Sequence, residues 1–236
     1  MKIFVISLKD LQDRRKKIES QMKKLGLNFE FFDAIDGRKG LPKKYEKYIN
    51  RKNSLSDAEY GCALSHSLLY KKIVAEKIQH SIILEEDFMI DNDFAKLVKE
   101  NYLQNSNCKG VLLYHLFASV IKLFNKPLFG EYQTHKLAKT PLCTTGYYLT
   151  LSMAEKLLNA SLPVYNHADW HCDIARFGMN AIVPRIVQHP PIQNSTLEKN
   201  RTREKNRFGK FGIFAWLCYQ IYKPFSVKIS KNLEGK

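Results

Sequence analysis

Short apolar runs that end in acidic residues recur along the first half of the chain. The first run spans residues 2–8, the second spans residues 28–32, and the clearest, residues 81–84, is followed directly by three consecutive carboxylates at 85–87. Apolar runs of this length are typical of strands buried within a sheet. In α/β sheets, ligands bind beyond the carboxyl ends of the strands. The pattern therefore predicts a cleft lined by acidic side chains.

Helical patterns separate these runs. After the first run, apolar residues recur at helical spacing until Gly26, which is placed to end a helix. A capping box with Ser56 as the N-cap and Glu59 reaching back predicts a second helix. A further capping box, from Ser152 to Glu155, predicts a third. Strands that alternate with helices predict a single α/β domain with a mixed, mostly parallel sheet flanked by helices.

Further strands are predicted at residues 110–116, 144–150 and 181–188. The segment between the first two contains lysine, proline and glycine, and we predict a long loop there that covers the acceptor side of the cleft. The short segment Asp91-Asn92-Asp93 resembles a metal-binding D-x-D motif, but apolar residues follow it at helical spacing. We therefore interpret Asp93 as a helix N-cap.

Composition restricts the class of partner. The chain has 236 residues and a formal net charge of +15, which indicates a polyanionic partner: nucleic acid, an anionic membrane surface or a phosphorylated glycolipid. The five cysteines are scattered without C-x-x-C pairs, which argues against a disulfide framework and favours the cytoplasm. No apolar run approaches the roughly 18 residues that a membrane helix needs.

The composition changes after residue 197. Residues 199–210 are rich in lysine and arginine, and residues 208–222 are rich in aromatic side chains. Basic and aromatic residues together are typical of segments that lie in a membrane interface. We predict a catalytic domain at 1–197 and a membrane-surface tail, partly helical, at 198–236. The alternative is a helix packed on the domain.

The acidic run is the strongest candidate for a ligand site. Because side chains alternate along a strand, Glu85 and Asp87 are predicted to share one side while Glu86 points away. Two like charges held together repel each other unless a cation neutralises them, and a divalent metal that bridges to phosphates is a common solution. His189 follows a predicted strand and is a further candidate ligand. The alternative interpretation is a solvated acidic turn.

Other residues extend this candidate site. Arg14 and Arg15 lie in the first turns of the first helix, where they could hold a diphosphate together with the helix N-terminus. Asp33 ends the second strand and could accept a hydrogen bond from a ribose or a base, while Gly37 permits a tight turn. Glu59 and His66 share the helix that begins at Ser56, although a histidine on a core helix usually has a structural role.

Two other functions are compatible with parts of the sequence. His167 and His171 are four residues apart and, with Asp169 and Asp173, could form the site of a zinc-dependent hydrolase, but the glutamate of an H-E-x-x-H motif is absent. We prefer Asp169 as a carboxylate at the start of a helix, acting as a general base. A nucleic-acid-binding protein would explain the charge, yet no RNP-like motif, zinc finger or basic recognition helix is evident.

Several motifs, taken in order, resemble the bacterial glycosyltransferases of family 25, the lipooligosaccharide galactosyltransferases. The resemblance covers residues 1–197. It rests on residues 5–8 with Asp13-Arg14-Arg15, residues 31–37, Ser56, Glu59, Gly61-Cys62, Ser65-His66, residues 83–87, 145–148 and 184–188, Asp169 and Ser195. It implies a GT-A-like fold, a UDP-sugar donor (usually UDP-galactose), a divalent metal, and transfer with inversion to lipooligosaccharide on the inner face of the inner membrane. UDP-glucose or another UDP-hexose is the alternative donor.

The resemblance also implies roles for single residues. Residues 85–87 occupy the acidic motif of the family, usually Glu-Asp-Asp, so Glu86 replaces an aspartate. Asp169 is the expected catalytic base, with Glu59 as its competitor. Mn²⁺ is expected rather than Mg²⁺, because manganese tolerates a histidine ligand better. The expected metal ligands are Glu85, Asp87 and His189. The expected donor-binding residues are Ser7, Leu8, Arg14, Asp33, Ala34, Gly37, His66 and Glu86.

Overall fold

One large sheet organises the computed structural model, which describes residues 1–53, 55–189, 217 and 219–229. The strands are β1 (Lys2–Ser7), β2 (Glu30–Asp33), β3 (His80–Glu85), β4 (Gly110–Leu112), β5 (Ser119–Phe129), β6 (Tyr132–Lys139), β7 (Gly146–Thr150), β8 (Asn180–Val183) and β9 (Ser226–Lys228). Within the described residues they form a sheet in the order β2-β1-β3-β7-β4-β8-β6-β5-β9. The helices are α1 (Gln12–Leu25), α2 (Asp57–Ala75), α3 (Asn92–Lys99), α4 (Tyr102–Asn105) and α5 (Leu151–Ser161).

The sheet confirms the predicted α/β class but is not mostly parallel. The pairs β1–β2, β1–β3 and β4–β8 are parallel, whereas β7 and β6 run antiparallel to both of their neighbours, and β5 pairs antiparallel with β6 and β9. Part of the difference comes from residues 119–139, where a hairpin replaces the predicted loop. Gly130 has a φ of 51°, which suits the tight turn between its strands.

The sequence signals for helix ends have mixed outcomes. α1 ends at Gly26, whose φ of 62° is left-handed, and the capping box of Ser56 and Glu59 starts α2, so both predictions are confirmed. The second predicted box is wrong, because α5 begins after Thr150 without a side-chain cap. α3 is capped by Asp91 rather than Asp93, which instead accepts a hydrogen bond from Tyr132.

The core lies on both faces of the sheet. On one face, side chains from β1 and β3 such as Val5 and Leu84 belong to a cluster with Met22 of α1. On the other face, Ile83 belongs to a cluster with Leu69 of α2 and with residues of α5. Because Ile83 and Leu84 are fully buried on opposite faces, the prediction of a strand buried on both sides is confirmed. This packing fixes the end of β3, where the three carboxylates lie.

Much of the predicted tail, 198–236, lies outside the described residues. Within it, Ser226–Lys228 forms β9 at the edge of the sheet, preceded by a single 3₁₀ turn at Lys223–Phe225. Among the described residues, none of the helices combines the length and the apolar character that crossing a membrane would require.

Candidate active site

The three carboxylates at the end of β3 face three different sets of partners. β3 ends at Glu85, and the amide of Phe88 donates to the Glu85 carbonyl oxygen across a turn, so strand alternation does not extend to Asp87. The expected convergence of Glu85 and Asp87 on one point is therefore not seen. Among the described residues, the group of three side chains whose potential ligand atoms all lie within 4.8 Å of one another is Cys62, His66 and Glu85.

Glu86 binds the start of the chain. Its Oε2 accepts hydrogen bonds from the Ser7 hydroxyl (2.8 Å) and the Leu8 amide (3.1 Å), while its Oε1 pairs with Arg14 Nη1 at 2.8 Å. The Glu86 side chain is 14% exposed and that of Arg14 is 34% exposed. Because its single carboxylate accepts from Ser7 of β1, from Leu8 and from Arg14 of α1, Glu86 brings together three other predicted donor-binding residues.

A second arginine, Arg15, which the sequence analysis placed beside a diphosphate together with Arg14, joins this network. Arg15 Nη2 donates to the Ser7 carbonyl oxygen (2.8 Å) and to Asp33 Oδ1 (2.6 Å), and its guanidinium lies 4.6 Å from the centre of the Phe31 ring. The amide of Ala34 donates to the same carbonyl at 2.9 Å. Arg15 thus joins the ends of β1 and β2. Its position in the Asp13-Arg14-Arg15 motif was the available signal.

The loop after β2 packs closely on the start of α2. Ser65 Oγ accepts from the amide of Ile35 (2.8 Å) and donates to the carbonyl oxygen of Gly61 (2.7 Å). A Cβ at Gly61 would lie 2.5 Å from the Ile35 carbonyl oxygen, and one at Gly37 would collide with the Asp57 carbonyl. Gly37 is therefore required by close backbone packing, in addition to the turn that the sequence predicted.

Glu85 begins a buried hydrogen-bonded chain. Its Oε1 lies 3.0 Å from His66 Nε2 and accepts from the Thr144 hydroxyl at 2.6 Å. His66 Nδ1 lies 2.7 Å from the Tyr147 hydroxyl, which in turn lies 2.8 Å from the Tyr70 hydroxyl. Burial raises the pKa of both tyrosines, so their hydroxyls stay protonated and able to donate. We refer to Glu85, His66, Tyr147 and Tyr70 as the relay.

Asp87 pairs with His189, which the sequence had selected independently. His189 Nε2 lies 2.9 Å from Asp87 Oδ2, and the antiparallel bridge between Met89 and Gln188 holds the two segments together. Within the described chain, Asp87 Oδ1 is buried without a hydrogen-bond partner. A buried carboxylate oxygen in this condition is costly unless a ligand satisfies it. The pair therefore suits a cation.

Asp169 and Glu85 contact neighbouring residues of the segment that precedes β7. The Cys143 amide donates to Asp169 Oδ1 at 3.2 Å, and the neighbouring Thr144 hydroxyl contacts Glu85. Burial and the charge of Glu85 raise the pKa of the Cys143 thiol to about 12. Residues 165–173 form bends rather than a helix, so the prediction that Asp169 begins a helix is wrong. Trp170, with a φ of 60°, interrupts any helical path.

Glu59 and His167 form a separate pair. His167 Nδ1 lies 3.2 Å from Glu59 Oε1, although the angle is not that of a hydrogen bond. Glu59 Oε2 accepts from both the amide and the hydroxyl of Ser56. Asp173 instead accepts from Thr140, and the described residues contain no group of candidate ligands built on residues 167–173. The zinc hydrolase alternative therefore gains no support.

The match to a family model covers most of the chain. Residues 1–172 match the model described as glycosyltransferase family 25 (LPS biosynthesis protein). The chain belongs to glycosyltransferase family 25. The resemblance inferred from its motifs is therefore confirmed, and the segments that build the Glu86 network and the relay fall within the part of this family-25 chain that the model matches.

Individual relatives of this family-25 chain include bacterial and animal proteins. The lipooligosaccharide biosynthesis protein Lic2B of Haemophilus influenzae is 28% identical over 167 residues, which are 67% of this chain and 62% of the relative. Procollagen galactosyltransferase 1-B of Xenopus laevis is 28% identical over 174 residues, 67% of this chain and 28% of the relative. The chain thus spans less than two thirds of each relative.

A comparison of folds also finds a solved glycosyltransferase. This enzyme, involved in glycosylation of the major capsid of PBCV-1, has a TM-score of 0.35 at 9% identity, covering 68% of this chain and 66% of the solved one.

Proposed function

We propose that this protein is an inverting glycosyltransferase that moves galactose from UDP-galactose to a lipooligosaccharide acceptor. The observation that carries the proposal is the set of carboxylates, arginines and Asp169 gathered beyond the carboxyl ends of β1, β2 and β3 and beside the start of β7 in a family-25 chain. The description of Lic2B supports the acceptor class, and that of the procollagen galactosyltransferase supports galactose. UDP-glucose and other UDP-hexoses remain the alternative donors.

In this proposal the donor is bound by the Glu86 network, which consists of Ser7, Leu8, Arg14, Arg15, Asp33 and Glu86. Arg14 and Arg15 supply positive charge beside the start of α1, where a diphosphate is favoured. Asp33 lies at the end of β2 with its side chain 55% exposed, which leaves it accessible to a ribose hydroxyl or a base NH. His66, held beside Glu85, forms the floor of the cleft near the transferred sugar.

The residues of the Asp87 pair fit a divalent metal. The buried Asp87 Oδ1 and the adjacent imidazole of His189 offer hard oxygen and nitrogen donors, a set that suits Mn²⁺ better than Mg²⁺. We propose that Asp87 and His189 hold Mn²⁺. Glu85, which the sequence predicted as a third ligand, contacts His66 and Thr144 instead and is not part of this pair. When bound, the metal supplies Lewis-acid stabilisation of the charge on the departing diphosphate.

Asp169 is the proposed base. The acceptor hydroxyl oxygen attacks the anomeric carbon and forms the new glycosidic bond, the bond to the UDP oxygen breaks with its electron pair, and the acceptor proton passes to Asp169. The hydrogen bond from the Cys143 amide holds the Asp169 carboxylate in place. Glu59 is the weaker candidate, because it is 8% exposed and one of its oxygens already accepts two hydrogen bonds from Ser56.

Charge and composition support a location on the inner face of the bacterial inner membrane. The net charge of +15 favours an anionic surface, and the basic, aromatic tail suits a membrane interface. A lipid-linked acceptor would then meet the cleft at the surface where it is made. We propose a cytoplasmic, peripheral protein without a nucleic-acid partner.

A panel of UDP-sugars tests the reaction and the donor together. The protein is incubated with each UDP-hexose, Mn²⁺ and a lipooligosaccharide lacking its outer sugars, with and without a chelator, and released UDP and product are measured. We expect UDP-galactose to give the fastest release, dependent on both metal and acceptor. Absence of UDP release from every donor would contradict the proposal.

The base is tested by comparing Asp169→Asn with Glu59→Gln. If Asp169 takes the proton, Asp169→Asn lowers transfer at least about a hundredfold while UDP binding by calorimetry stays within a few fold. Glu59→Gln is expected to reduce thermal stability more than the rate of transfer, because it weakens the cap of α2. Near-normal turnover by Asp169→Asn would reject the assignment.

A further inference from the structure

Cys62, His66 and Glu85 form a cluster, and the proposed transfer reaction gives Cys62 no role in it. One potential ligand atom from each lies within 4.8 Å of the others. Cys62 and His66 are four residues apart on α2, so they share a helix face that meets the end of β3. We propose that these three residues bind Zn²⁺, or another divalent metal that favours thiolate, at a site separate from the Asp87 and His189 pair.

The donor set supports zinc. Thiolate, imidazole and carboxylate are its usual ligands, and three of them leave one open position on a tetrahedral ion. Ligand atoms around such an ion lie about 3.3 to 3.6 Å apart, as follows from the usual zinc–ligand distances. His66 Nε2 and Glu85 Oε1 are 3.0 Å apart, so an ion between them requires the two side chains to separate by only a few tenths of an ångström.

The surroundings of these ligands also resemble those of a preorganised metal site, in which hydrogen bonds orient the ligands before the metal binds. A metal-binding histidine usually donates its second ring N–H to a fixed partner, and ligating carboxylates are themselves hydrogen-bonded. His66 Nδ1 lies 2.7 Å from the Tyr147 hydroxyl, which Tyr70 supports, and Thr144 donates to Glu85. His66 is 1% exposed, so its ring orientation is determined by packing before any metal binds.

Metal binding at this site has a defined proton balance. The Cys62 thiol releases its proton to solvent and becomes the thiolate ligand. The His66 ring proton, which donates from Nε2 to Glu85 before the metal binds, moves to Nδ1, where it donates to Tyr147 and leaves the Nε2 lone pair for the metal. Glu85 exchanges its hydrogen bond with His66 for the metal.

Cobalt titration tests the site without any sugar nucleotide, so the result is independent of the proposed transferase activity. We expect the full chain to bind Co²⁺ with a thiolate-to-cobalt charge-transfer band, and Zn²⁺ to displace it. Cys62→Ser is expected to abolish the band. Cys172→Ser is the matched control, since both cysteines are half-buried, and it is expected to retain the band.

Two further results decide the proposal. Tyr147→Phe keeps the three ligands but removes the partner of His66, and is expected to weaken Co²⁺ binding about 10- to 100-fold. A wild-type protein that shows no thiolate band overturns the proposal, as does an unchanged band in Cys62→Ser. If Cys62→Ser does not fold, Glu85→Gln is used in its place, and an affinity for Co²⁺ equal to that of the wild type overturns the proposal.

Discussion

Glu85 and Glu86 are adjacent in sequence, yet their carboxylates occupy opposite kinds of surroundings. Glu86 pairs with the permanent cation Arg14 and accepts from Ser7 and Leu8, and its side chain is the less exposed of the two, at 14% against 24% for Glu85. Glu85 contacts an imidazole and the Thr144 hydroxyl, at the end of a buried chain of tyrosines. An ion pair with Arg14 holds the Glu86 carboxylate. The Glu85 carboxylate is held by a hydroxyl and an imidazole, whose hydrogen bonds can rearrange.

This difference assigns separate tasks to the two acids. A carboxylate neutralised by an arginine and bound to backbone is suited to fix the shape of a binding site. A carboxylate bound by hydroxyl and imidazole groups retains its charge for a metal or a substrate. We therefore expect substitutions on the Glu86 side to change mainly donor affinity, and substitutions on the Glu85 side to change mainly the rate of transfer.

The largest expected effect is that of Glu85→Gln. Removing this charge takes away the carboxylate that contacts His66 in the cleft, and should lower the maximal rate of transfer about a hundredfold or more, by analogy with other losses of electrostatic stabilisation. Steady-state assays across Mn²⁺ concentrations measure the loss. Glu155→Gln, an exposed acid on α5, is the control and should be neutral. Comparable rates in the two variants would refute a role for Glu85.

Tyr147→Phe should have an intermediate effect. It tests whether the hydroxyl on the face of β7 that meets His66 matters more than the hydroxyl on the opposite face. The substitution leaves His66 Nδ1 and the Tyr70 hydroxyl without their partner in a buried site, at a cost of about 1–3 kcal/mol in the free energy of unfolding. Urea unfolding measures the cost. We also expect transfer to fall several-fold, because Tyr147 positions His66 and through it Glu85.

Tyr148→Phe is the matched control for this position. Tyr148 is the next residue, points to the other face of the sheet and contacts His80 Nδ1 at 2.8 Å. Because His80 is partly exposed, water can replace the lost hydroxyl, and the cost should stay below about 1 kcal/mol. Equal losses of stability and activity in the two variants would show that the relay has no special role.

The smallest expected effect is that of Glu86→Asp, which restores the aspartate of the related acidic motif. One methylene fewer prevents the carboxylate from reaching Arg14 and Ser7 together, so we expect a loss of about 0.5–1.5 kcal/mol in stability, reduced by the partial exposure of Arg14. The KM for the donor should rise a few fold. Glu19→Asp, on the exposed face of α1, is the control. An improved KM would mean that aspartate is the better donor ligand here.

Much of the parallel end of the sheet followed from the sequence, because local signals determine it. The apolar runs of β1 and β3, Gly26 at the end of α1 and the box at Ser56 each depend on neighbours a few residues away. The hairpin of β5 and β6 was missed because its polar residues and Pro127 resemble those of a loop. Its pairing depends on β8 and β9, far away in the chain.

The sequence indicated which residues form the candidate site, but not how their side chains are placed relative to one another. Asp33, Glu86 and Asp87 are indicated by their positions at strand ends. The direction of each side chain depends on the turn after Glu85, which ends the strand alternation. Tyr147 and Tyr70 gave no signal of a polar role, since aromatic residues in a strand and a helix normally indicate core, and only packing brings their hydroxyls together.

The division of tasks is tested most directly by assaying Glu85→Gln and Glu86→Gln side by side over a range of UDP-galactose concentrations. We predict that Glu85→Gln lowers kcat about a hundredfold with the donor KM within about threefold of the wild-type value. For Glu86→Gln we predict a donor KM raised about tenfold with kcat nearly unchanged. If both variants lose the same parameter to the same extent, the two carboxylates act as one unit and the account is wrong.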